Sequence, residues 1–171
     1  MALETTKIGV IGCGNIAPAY LRAARTFDIL EVVACADVDM ARARARAEEF
    51  DVPVACTPAE LLDRPEIRIV VNLTPPLAHF DVAMACLKAG KCVHNEKPLA
   101  ATRAEGRKLV ESAAGNGLRV GCAPDTFLGA AGQTCRKLID DGAIGTPVAA
   151  AAFLTGRGPG RWHPSRANSG L

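Results

Sequence analysis

The sequence predicts an α/β protein in which helices cover both faces of a parallel, doubly wound sheet. Three observations carry that expectation. Short apolar runs alternate with helix-forming stretches along most of the chain. A glycine-rich turn joins the first apolar run to the first helical one. The composition, 49% apolar and 22% charged over 171 residues, is that of an ordinary globular protein with a sizeable core. Disorder is excluded on the same ground, and the length suits one complete domain with little left for a second.

Taken in order, Lys7–Gly12 (KIGVIG) reads as a buried strand and Ile16–Thr26 as a helix. Leu30–Asp37 (LEVVACAD) is a second strand. The alternation of Ala and Arg in Met40–Phe50 mimics a strand, but the segment has no β-branched residue and its residue types favour a helix. Val54–Cys56 is a short strand and Pro58–Leu62 a helical turn. Arg68–Leu73 is a strand, and Pro75–Ala89 a helix stopped by Gly90. Cys92–His94 and Arg119–Cys122 complete the strands of the sheet. Thr102–Ala114 is a helix stopped by Gly115, and Thr126–Asp140 one that closes at Gly142. Right-handed crossovers between such strands give a parallel sheet. The segment Pro147–Thr155 (PVAAAAFLT) breaks the rhythm as a strand that starts something new, and a Gly-, Pro- and Arg-rich tail follows it.

Several classes of function are excluded. Twenty Lys and Arg against eighteen Asp and Glu leave a net charge of +2, too little for a field that holds nucleic acid. No stretch reaches the roughly 18–20 apolar residues of a membrane span. The uncharged run Ala143–Gly156 is broken by Gly145 and Pro147, and Glu4 stands where a secretory signal would be basic. The seven cysteines are scattered without a CxxC pair, which argues against a zinc site or a disulfide framework. A reducing, cytoplasmic setting with small buried cysteines is the expectation.

Three constellations carry chemistry. The first, Gly12-Cys13-Gly14-Asn15-Ile16-Ala17, is a GxGxxA turn between strand and helix. Gly12 permits the tight turn, Gly14 lets backbone approach a pyrophosphate, and Ala17 allows close packing, with phosphates held at the helix N-terminus. Asp37 ends the second strand at close to the spacing of a carboxylate that grips the adenosine ribose. It disfavours a 2′-phosphate and so favours NAD, whereas Arg42 nearby is the residue that would admit NADP. The bland reading of Arg42, Arg44 and Arg46 is a solvated helix face. The second constellation is Asn72-Leu73-Thr74-Pro75-Pro76, at a strand's carboxyl end. There Thr74 either touches a cofactor or caps a helix opened by Pro75. His79 either faces the same crevice or sits on a solvated turn. The third is Glu96-Lys97-Pro98. Lys97 is either a surface lysine or one that orients a substrate oxygen and assists its proton transfer.

In this order, GCGNIA, Asp37, NLTPP and VHNEKPLA resemble the Gfo/Idh/MocA oxidoreductases, whose members use NAD(P) on sugars, inositols, related polyols and other small carbonyl compounds. The resemblance spans roughly residues 5–155, and its specific part is the EKP motif one strand after the NxTPP loop. It implies phosphates at Gly12, Gly14, Asn15 and Ile16, with Asp37 on the adenosine ribose. It puts Thr74, Pro75 and His79 along the pyrophosphate and nicotinamide ribose, Glu96 by that ribose, and Lys97 beside the nicotinamide and substrate. A cis Lys97–Pro98 peptide is implied as well. Asp125 either touches substrate or caps the helix after it.

The resemblance divides the chain into a Rossmann domain over residues 5–123 and, over 124–171, the helix and first strand of an incomplete α+β substrate domain. That domain supplies an Asp/His pair in the family, for which His163 is no substitute. The alternative function is a non-catalytic dinucleotide-binding or regulatory module. A further alternative is a structural role, in which the strand at Pro147–Thr155 pairs with a second copy or another partner.

Overall fold

A computed structural model describes residues 5–153, 155 and 156. The chain divides into two compact units, Met1–Ala123 and Pro124–Leu171.

The first unit holds six parallel strands: β1 (Thr6–Ile11), β2 (Leu30–Ala36), β3 (Val54–Cys56), β4 (Ile69–Asn72), β5 (Cys92–Asn95) and β6 (Val120–Cys122). Their order across the sheet is β3-β2-β1-β4-β5-β6. The order reverses between β1 and β4, which opens a crevice at the carboxyl ends of those two strands. The helices are α1 (Ala17–Ala24), α2 (Met40–Glu49), α3 (Pro58–Leu62), α4 (His79–Lys88) and α5 (Arg103–Gly115).

Neighbouring strand residues point to opposite faces, and the core divides accordingly. Val10 and Cys35 join Ala17, Leu21, Ala43 and Phe50 under α1 and α2. Ile11, Ala34 and Val70 join Leu61, Ala83, Leu87, Leu109 and Ala113 under α3, α4 and α5. Both faces are thus covered, and the middles of the strands are largely apolar because neither face meets water.

Local chemistry sets the helix ends. Thr57 and Thr102 each form a capping box, with Glu60 and Glu105 respectively, a device worth about 1 kcal/mol. Asp39 caps α2 by accepting from the amide of Ala41. At the foot of the sheet Lys91 is buried, and its ammonium donates to the carbonyls of Arg64 (2.6 Å) and Ile67 (3.0 Å). It satisfies two acceptors of the turn between α3 and β4.

Several boundaries differ from the sequence expectation. The helix expected from Pro75 opens as a 3-10 turn, Pro76–Ala78, and becomes α-helical only at His79, because Pro76 disfavours the helical region for the residue before it and Pro75 stays extended at ψ 149°. Gly115 does not stop α5 but lies inside it. The cap is Asn116, and Gly117 supplies the positive φ of +66°.

In the second unit a 3-10 turn, Thr126–Leu128, precedes α6 (Ala130–Asp140), with Gly142 at φ +75° just beyond. Asp125 stands at the start of that turn without a side-chain capping bond, so its expected capping role is not realised. The strand expected over Pro147–Thr155 is not formed by the described residues of that segment, which are exposed. A strand needs a neighbour to share its hydrogen bonds, and the pairing edge expected there is absent among these residues. Trp162 and His163 lie outside the described residues.

Candidate functional site

The carboxyl ends of β1, β2, β4 and β5 bring most of the sequence-selected residues to one edge of the sheet. Gly12 leaves β1 with φ +101° and its amide on the carbonyl of Ala36 (2.8 Å). A Cβ there would lie 2.6 Å from the carbonyl carbon of Leu73 and 2.8 Å from the amide nitrogen of Thr74. Only glycine therefore lets the turn after β1 nest against the loop after β4. Gly14 is different: a Cβ would meet nothing within 4 Å, so the turn is open to an incoming group at that position. Asn15 and Ile16 are exposed beside it, and α1 begins without a side-chain cap. Fully buried Ala17 seats that helix end against the sheet.

Asp37 is mostly buried at the tip of β2. One carboxylate oxygen accepts from the amide of Cys13 (2.8 Å), the other from that of Asp39 (2.9 Å). The carboxylate thus clamps the glycine-rich turn to the start of α2 and retains further lone pairs as acceptors. Arg42 points to solvent, its side chain 64% exposed and paired with Asp39 at 3.3 Å. Cys13, inside the turn, is no nucleophile: its hydrogen bond with Cys35 and its burial push its thiol pKa far above the ordinary value.

The loops after β4 and β5 share a buried polar network. Asn72 donates to the side-chain oxygen of Asn95 (3.0 Å) and to the carbonyl of His79 (3.3 Å). It accepts from the Thr74 amide (3.2 Å) and hydroxyl (2.7 Å). Asn95 donates to the carbonyl of Leu99 (2.9 Å). Thr74 therefore folds back on its own strand and does not cap the turn that follows, while Pro75 is exposed at the loop's tip.

His79 requires a correction, because it neither faces the crevice nor sits on a solvated turn. Its ring is fully buried, with Nδ1 2.6 Å from the carbonyl oxygen of Pro98 and Nε2 2.8 Å from that of Thr74. The ring is thus wedged between the two loops, one nitrogen set against a carbonyl of each.

Glu96 follows β5, its amide on the carbonyl of Asn72 (2.8 Å). Its carboxylate accepts from the Lys97 amide (2.6 Å) and from the hydroxyl of Tyr20 on α1 (3.0 Å). Lys97 is exposed beside it, and the Lys97–Pro98 peptide is cis. Asp125 is exposed and belongs to the second unit.

Asn72, Asn95 and Tyr20 were given no role from the sequence. The two asparagines did leave a signal, since each ends a short strand of the buried sheet, and a buried amide there must be bonded to something.

Among the described residues no group of three or more His, Cys, Asp or Glu could hold a metal, and no helix is long and apolar enough to cross a membrane. Comparison with known proteins adds a family. The profile of an oxidoreductase family with an NAD-binding Rossmann fold, GFO_IDH_MocA, matches residues 6–123. Inositol 2-dehydrogenase of Salmonella typhimurium is 33% identical over 150 residues, covering 84% of this chain and 44% of that protein. An NADP(+)-dependent scyllo-inositol 2-dehydrogenase of Bacillus subtilis is 28% identical over 83% of this chain and 39% of its own length. A 3-ketoreductase from Actinomadura kijaniata, solved with NADP and TDP-benzene, superposes with a TM-score of 0.76 at 28% identity, over 81% of this chain and 43% of that one. The chain thus spans less than half the length of these relatives.

Proposed function

Because the chain belongs to the Gfo/Idh/MocA oxidoreductase family and holds its NAD(P)-binding Rossmann domain, we propose that it is the nucleotide-binding part of an NAD(P)-dependent oxidoreductase. The reaction is hydride transfer between nicotinamide and a sugar, polyol or related hydroxyl or carbonyl substrate. The named activities of the inositol dehydrogenase and ketoreductase relatives support that substrate class. Residues 5–123 form the dinucleotide domain in this reading, and 124–171 open the substrate domain.

The observation that carries the proposal is the open approach at Gly14, set between an uncapped helix N-terminus and the Asp37 carboxylate. A dinucleotide fits these residues. Its phosphates, with Gly12, Gly14, Asn15 and Ile16 around them, meet unhindered backbone and the positive end of the α1 dipole. Asp37 accepts from the adenosine ribose hydroxyls with its remaining lone pairs, and Thr74 and Pro75 line the path towards Glu96. Bound nicotinamide dinucleotide supplies the two-electron redox chemistry. Lys97, exposed at the end of β5, holds the substrate oxygen and carries its proton. NAD is the preferred form, because the Asp37 carboxylate repels a 2′-phosphate.

The test is to join this dinucleotide domain to the substrate domain of a full-length relative, incubate the product with NAD⁺ and a panel of inositols and sugars, and follow reduced nicotinamide. Turnover that falls by about 10²–10⁴ in Lys97→Ala is expected. Dinucleotide binding without turnover on any substrate would make the chain a binding module, and absence of both would overturn the site.

A further inference from the structure

Tyr20 lies on α1, one turn beyond the glycine-rich loop, and its hydroxyl reaches the carboxylate of Glu96 on the far side of the crevice, 3.0 Å away. The other Glu96 oxygen is held by the Lys97 amide at 2.6 Å. A glutamate anchored at one oxygen still turns about its side-chain torsions, whereas one anchored at both presents its remaining lone pairs in a fixed direction. The phenol donates, so the carboxylate stays an acceptor, the polarity needed to receive a hydroxyl group. Neither side chain is fully buried, so the bond adds little to folding stability and its main consequence is orientation.

We infer that Tyr20 is a positioning residue for the dinucleotide: through its hydroxyl it aims Glu96 at the ribose on the nicotinamide side. The inference rests on the placement of Glu96 proposed above. It also ties the two ends of the site together, since the helix that faces the phosphates carries the group that orients the carboxylate.

Calorimetric titration of the chain with NADH and with ADP, which lacks the nicotinamide-side ribose, separates the possibilities. Four proteins are needed: the unaltered chain, Tyr20→Phe, Glu96→Gln and the double variant. Tyr20→Phe is expected to weaken NADH about three- to tenfold, the net worth of one ordinary hydrogen bond, and to leave ADP within about twofold. In the Glu96→Gln background it should add nothing. Equal losses for NADH and ADP would mean a general disturbance of α1 and overturn the inference, as would unchanged NADH affinity or fully additive losses. If Glu96→Gln leaves NADH binding intact, the placement of Glu96 fails and takes the inference with it. If Glu96→Gln weakens NADH while Tyr20→Phe does not, the inference alone fails.

Discussion

Two glycines two positions apart should respond to substitution in opposite ways. At Gly12 a new Cβ would stand 2.6 Å from the Leu73 carbonyl carbon, 2.7 Å from its oxygen and 2.8 Å from the Thr74 amide. Ordinary contact begins at 3.4 Å, so the loop after β4 must retreat by about 0.8 Å. That loop is fixed by the bond from the Leu73 amide to the Ile11 carbonyl (2.7 Å) and by the Asn72–Thr74 bonds, and it cannot retreat without breaking some of them. Holding a side chain at φ +101° costs a further ~1–2 kcal/mol. With overpacking at ~1–3 kcal/mol, Gly12→Ala should lose about 2–5 kcal/mol of folding stability. That is a large share of the roughly 5–15 kcal/mol of a typical domain. At Gly14 a Cβ meets nothing within 4 Å and the position lies outside the positive-φ set, so the stability of Gly14→Val should stay within about 1 kcal/mol of the unaltered chain while NADH binding is lost. Urea unfolding followed by circular dichroism, with NADH titration alongside, reads both. A Gly12→Ala chain within about 1 kcal/mol of the unaltered one would refute the packing argument.

Other residues give independent checks. Lys91→Met should cost about 1–3 kcal/mol in the same urea assay, because the Arg64 and Ile67 carbonyls lose a buried donor. Burial holds the His94 imidazole below its ordinary pKa, outweighing the opposing pull of Glu96. The unfolded chain therefore takes up the proton first. Stability should fall as pH drops below about 6.5 and level off beneath the folded-state pKa, and His94→Gln should remove that slope. Burial pushes the Cys86 thiol up to about 12, so an alkylating reagent at neutral pH should label exposed Cys135 in the folded chain and reach Cys86 only on unfolding.

Much of this was legible in the sequence because it depends on local rules. Strands buried on both faces read as apolar runs, and the GxGxxA turn has few structural contexts. The loops were harder. Thr74 preceding Pro75 looks like a cap, but Asn72, two residues back at the end of the strand, competes for its hydroxyl, and that pairing depends on the loop's path. His79 is polar on an early helical turn, a position that usually faces solvent. It is buried here because two carbonyls from separate loops converge on its ring. Tyr20 meets Glu96 across 76 positions of sequence, a contact that no local pattern encodes. The segment Pro147–Thr155 has the residues of a strand but forms none where it is described, since strand propensity acts only beside a partner.

The central claim is that the turn after β1, with Asp37, is a dinucleotide site that prefers NAD. Titrating the unaltered chain by calorimetry with NADH and then, separately, with NADPH tests it most directly. The account predicts saturable one-to-one binding of NADH and clearly weaker binding of NADPH. Tighter NADPH binding would contradict the role given to Asp37, and binding of neither would contradict the site itself.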